Sequence, residues 1–109
     1  MINAHNKDEK SARLAQIIRL YESGQVSELM DQRLSKLLST EAAEARNTVE
    51  VLESDLTEFE DKYGLKSSQF FERFEHGDMG DAMDYIEWAS LYQMYVRANK
   101  RLELLTEVE

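Results

Sequence analysis

The chain has 109 residues, with no proline, no cysteine and 42% hydrophobic residues, which describes one soluble domain with a modest core. Lacking cysteine, it has no disulfide, no thiol catalysis and no thiolate zinc site, and its polar start and short apolar runs exclude a signal peptide and a bilayer span, so it reads as cytoplasmic. The net charge is −9 and unevenly placed: residues 1–38 hold six basic and five acidic side chains, residues 39–109 seven and 17.

That second stretch, at −10, repels phosphate backbones and attracts cationic partners. Nucleic acid is therefore an unfavourable ligand for it.

The first helix is expected over roughly 8–23, where Leu14, Ile17, Ile18 and Tyr21 recur at helical spacing and Gly24 supplies a left-handed cap. A second helix starts near Gln25 and carries Val26, Leu29, Met30, Leu34, Leu37 and Leu38 on one stripe, giving an N-terminal hairpin over 8–38. Around "STEAAEA" Thr40 can cap a new helix while Ala42, Ala43 and Ala45 would equally let one helix run through, and a bend or short break is the expectation. That helix, long and acidic, is expected over 41–63. In it Ala42, Ala45, Val49, Leu52, Leu56, Phe59 and Tyr63 form a coiled-coil seam.

An elbow over 64–81 comes next. Tyr63, Gly64 and Leu65 fit a Schellman ending, Ser67 or Ser68 can cap a short helix with Phe70, Phe71 and Phe74 on one face, and Gly77 ends it. Asp81, with Asp84 three residues on, then starts a last helix over 82–106 with acids at its positive end. That helix has two apolar seams. Trp88, Tyr92, Tyr95 and Leu102, interrupted at Asn99, suit an antiparallel return along 41–63, which sets Arg97, Lys100 and Arg101 alongside Glu41, Glu44 and Arg46. Leu91, Met94, Ala98 and Leu105 are left over and are assigned to an oligomer interface, because a chain this short makes a thin monomeric core; a homodimer is expected. The fold class is thus all-α, a helical hairpin plus a long antiparallel helix pair joined by a short helix, completed as a bundle by dimerisation.

Chemical motifs are sparse. Asp78, Asp81, Asp84 and Glu87 are spaced by three, whereas a calcium loop needs ligands two apart, so they read as helix-start acids and no metal or cofactor is assigned. Glu50 with Glu53 and Glu72 with Glu75 repeat an E-x-x-E spacing similar to the magnesium carboxylates of MazG-class nucleotide pyrophosphatases, which is the alternative reading as an enzyme. No catalytic triad or phosphate loop can be built. A helix-turn-helix over 11–38 fits poorly, since its second helix shows Glu28 and Asp31 beside Arg33 and Lys36 and Leu20 is bulky at the crossing. What remains is a surface for protein: Phe70, Phe71, Phe74, Tyr85 and Trp88, with Met79 and Met83, inside a rim of Glu72, Glu75, Asp78, Asp81 and Asp84. The same aromatics can equally form the chain's own core.

The run "FEDKYGLKSSQFFERFEHGDMGDAMDYIEWASLYQMYVRANKRLELL", preceded by "EVLESDLTEFE" and "IIRLYESGQVSELMDQRLSKLL", resembles a group of short helical bacterial and cyanobacterial proteins described as the antitoxin-like component of toxin–antitoxin loci. The resemblance implies neutralisation of a basic toxin by direct binding, without catalysis. Unlike better-known antitoxins, the chain lacks a DNA-binding module. A purely structural helical dimer is the third alternative.

Overall fold

The computed structural model describes residues 2–107, and side chains from residue 7 onward. Among the described residues there are helices and no strands: α1 (Ile2–Glu22), α2 (Glu28–Tyr63), α3 (Ser67–Glu75) and α4 (Met83–Thr106). None of the helices is long and apolar enough to cross a membrane. The chain divides into two compact units, one ending at Leu37 and the other beginning at Leu38.

The first unit is a helical hairpin. Its turn is built by local chemistry: Gly24 sits at φ 71°, Gln25 N–H donates to Leu20 O at 2.8 Å and Gly24 N–H to Tyr21 O at 3.1 Å, the two bonds of a Schellman ending. Ser27 then caps α2, its Oγ accepting from Met30 N–H at 3.0 Å, so the second helix starts at Glu28 and not near Gln25. Tyr21 Oη donates to Asp31 Oδ1 at 2.6 Å, tying the two helices across the turn. That carboxylate also raises the Tyr21 pKa, through the hydrogen bond first and burial second.

The expected break near residues 39–45 does not form, because α2 runs unbroken for 36 residues. The physical reason lies in the alanines. Ala42, Ala43 and Ala45 have the highest helix propensity of any residue type, no glycine or proline interrupts them, and Ala42 and Ala45 are themselves buried on the seam. Thr40 therefore lies inside a helix instead of capping one.

In the second unit the sequence seam is the packed face. Ala42, Ala45, Val49, Leu52 and Leu56 are buried, and α4 returns antiparallel against them. The pairing is read from Tyr63 Oη and Lys62 Nζ donating to Asp84, Phe59 stacked on Trp88 at 5.6 Å, Tyr95 Oη reaching Glu53 at 3.5 Å, and Arg101 paired with Glu41. As residue number falls on α2 it rises on α4. The basic end of α4 thus meets Glu41 as its charges require, although both partners are half-exposed and the pair adds little.

Of the second α4 seam, Leu91 packs against the core of its own unit, Ala98 and Leu105 are half-buried, and Met94 is 46% exposed.

Candidate functional site

The elbow is turned by three left-handed glycines, Gly64, Gly77 and Gly80, and held by one indole. Gly64 (φ 65°) closes α2 with a single bond from its N–H to Glu60 O at 2.8 Å, the simpler left-handed cap and not the Schellman pair expected there. The Schellman pair occurs at the other end of α3, where Gly77 N–H donates to Phe74 O at 3.1 Å and Asp78 N–H to Arg73 O at 2.9 Å.

The caps expected of Ser67, Ser68 and Asp81 are not made. Lys66 occupies the cap position of α3 and Ala82 that of α4, neither with a side-chain bond to the helix. Ser67 is instead buried in the first turn of α3, its N–H donating to Glu60 Oε2 at 2.8 Å while its Oγ accepts the Trp88 indole N–H at 2.9 Å. A carboxylate from the preceding helix thus satisfies an orphan donor at the helix start, and the serine is released to satisfy the tryptophan. Local preference for serine as a cap loses to a buried donor that needs an acceptor.

Phe70 and Trp88 stack at 3.9 Å with planes 4° apart, and both have no exposed surface. They are core, so neither touches a partner while the fold holds. Phe59 and Tyr63 stack on the same indole, at 5.6 and 5.7 Å. Phe71, Phe74 and Tyr85 are half-buried against this cluster, Phe71 meeting Tyr92 at 5.2 Å. Asp84 is not a free rim acid either. Its carboxylate accepts from Lys62 Nζ at 2.8 Å and from Tyr63 Oη, and these bonds, lysine first, hold its pKa below the usual carboxylate value while raising those of both donors. Glu75, Asp78 and Asp81 are exposed, as is Glu72.

Two residues with exposed apolar surface join this region: Met83, 78% exposed, and Ile86, 45%. Ile86 escapes a reading of the sequence because it follows Tyr85 on a helix whose phase is assigned from the aromatics; it lies two residues, about 200° of helix, from buried Trp88, which turns it outward.

Two clefts flank the α2–α4 seam. One, of about 460 Å³, is lined by Glu53, Thr57, Glu60, Lys66, Ser68, Tyr92 and Tyr95 among others. The other, of about 340 Å³, is lined by Asp55, Glu58, Phe59, Lys62, Asp84, Glu87 and Leu91. Their opposite placement reflects helical phase, since 53, 57 and 60 lie on one side of the stripe 52–56–59 and 55, 58 and 62 on the other. In the first cleft the Tyr95 hydroxyl has its pKa raised, by burial first and then by Glu53. The second is the more acidic, with four carboxylates and one amine.

None of these carboxylates gathers into a metal set: among the described residues no three His, Asp or Glu side chains are placed to hold an ion. Glu50 and Glu53 lie on α2 and Glu72 and Glu75 on α3, and they are not part of any such set among the described residues. Comparison of the chain with protein-family models, with curated proteins and with solved structures finds no match.

Proposed function

We propose that the chain is an acidic helical binding module of antitoxin type, which neutralises a basic protein partner by direct contact and acts as a cytoplasmic homodimer. The observation that supports this most is the cleft in which Asp55, Glu58 and Glu87 surround Phe59 and Leu91, while Lys62, the one base among the residues lining it, is already paired with Asp84. Acids dispersed around a small apolar floor suit a guanidinium or ammonium group on an apolar stem better than a bare ion. The exposed acids Glu72, Glu75, Asp78 and Asp81 beside Met83 and Ile86 extend the same character around the elbow. In the residues from 39 on, −10 of charge adds long-range attraction for such a partner and speeds encounter at low salt.

The test is co-expression with the product of the neighbouring gene. The expected result is a complex that co-purifies, relieves growth arrest and weakens with salt. Glu58→Lys combined with Glu87→Lys should weaken it by about tenfold or more, as loss of close charge pairs does. No complex and no relief of arrest would overturn the reading.

A further inference from the structure

The hairpin ending at Leu37 contains no buried side chain among its described residues, although it carries Leu14, Ile17, Ile18, Leu20, Tyr21, Val26, Leu29, Met30, Leu34 and Leu37. Leu14, Ile18 and Tyr21 stand 57%, 46% and 41% exposed at i, i+4 and i+7 on α1, and Leu29 and Leu37 are each 59% exposed on α2. A groove of about 560 Å³ lies on the second helix, floored by Leu29, Met30 and Leu37 with Arg33 and Lys36 at its edge. Two helices joined by a capped turn and one tyrosine–aspartate tie do not make a core. Helices in proteins gain most of their stability from a packed apolar face and not from propensity alone.

The geometry points to a second copy of the same hairpin as the occupant of this face, so that two hairpins close a four-helix bundle. Charge selects the occupant. Residues 1–37 hold six basic and five acidic side chains, so the hairpin neither repels its own copy nor attracts a strongly charged stranger, whereas the −10 carried from residue 39 on opposes self-association there. The acid for the groove's bases comes from just outside its lining: a two-fold, antiparallel pairing of the α2 segments sets Glu28, exposed in the first turn of α2 of one copy, towards Lys36 at the groove edge of the other. Dimerisation is thereby assigned to α1 and the first turns of α2, in place of the Leu91–Met94–Ala98–Leu105 seam of α4, where Leu91 is already engaged by its own unit. The assignment does not depend on any toxin partner.

Sedimentation equilibrium on the full chain should give twice the 12.7 kDa of one chain at micromolar concentration. Leu14→Glu with Ile18→Glu should weaken the dimer by about a hundredfold or more, on the scale of buried apolar loss, whereas Met94→Glu should leave it unchanged. Because the double variant could unfold its hairpin, hydrogen exchange of the unsubstituted chain over a dilution series supplies the second measurement. Amides of 10–22 and 28–37 should gain protection with concentration. A monomer at every concentration, a dimer broken by Met94→Glu, or concentration-dependent protection confined to 86–105 would each overturn the proposal.

Discussion

The Trp88 indole N–H donates to Ser67 Oγ at 2.9 Å, in a site where neither residue has more than a trace of exposed surface. This bond joins the first turn of α3 to the first turns of α4. It explains why a serine stands where aliphatic packing would otherwise do: an indole buried on all sides by Phe59, Tyr63 and Phe70 must find an acceptor. Ser67→Ala should cost about 1–3 kcal/mol, the penalty of a buried donor left without a partner. Trp88→Phe in the Ser67→Ala background should cost less than in the unsubstituted chain, and a double-mutant cycle by urea unfolding checks the coupling.

Phe70→Ala removes the other half of the stack. With no exposed surface and a ring 3.9 Å from the indole, Phe70 is expected to cost about 3–5 kcal/mol on truncation, against much less for Phe71→Ala, which is half-buried. Denaturant midpoints at constant m-value decide it.

Gly64 tests the turn chemistry alone. A Cβ there would meet nothing within 4 Å, so Gly64→Ala is opposed only by the left-handed φ of 65° and should cost about 1–2 kcal/mol, with Gly64→Asn milder. Equal effects for alanine and asparagine would refute this account.

Two groups make stability pH-dependent in opposite senses. Asp84 is held below its ordinary pKa of 3.8 by Lys62 and Tyr63, so its contribution is present above that value and is lost as pH falls through the folded pKa. His76 is held above 6.5, chiefly by its Nδ1–H donating to Glu72 O at 2.8 Å at the end of α3. Its contribution is complete below 6.5 and is lost as pH rises through the raised value. His76→Gln should flatten the second change and leave the first, in urea unfolding measured across both windows.

The Arg101–Glu41 pair is predicted to matter little. Its side chains are 50% and 45% exposed, and such pairs couple by about 0.2–1 kcal/mol, falling with salt. A double-mutant cycle with Arg101→Ala and Glu41→Ala checks it.

The long-range pairing of α2 with α4 is legible in the sequence because alternating three- and four-residue spacing from Ala42 to Tyr63 leaves only one face for the partner helix, and that face is the buried one. The helix starts are not legible in the same way. Cap preferences are local statistics, and at Ser67 a carboxylate seven residues earlier satisfies the helix start in the serine's place. The continuity of α2 is obscured for the opposite reason, since Thr40 offers a polar cap but the propensity of the alanines after it prevails. Composition shows that aromatics and acids crowd the elbow. It does not show that Phe70 and Trp88 face each other while Met83 and Ile86 face out, because that depends on a helical phase set by packing across three elements.

Trp88, the only tryptophan in the chain, lies in the core of the second unit, and the first unit has none. Its emission, excited beyond the absorption of the tyrosines, therefore reports the melting of one unit, while far-ultraviolet ellipticity reports the helices of both. The molecule carries its own pair of thermometers. Coincident curves would mean that the two units unfold as one cooperative system; a helical signal lost before the tryptophan moves would mean that the hairpin opens on its own.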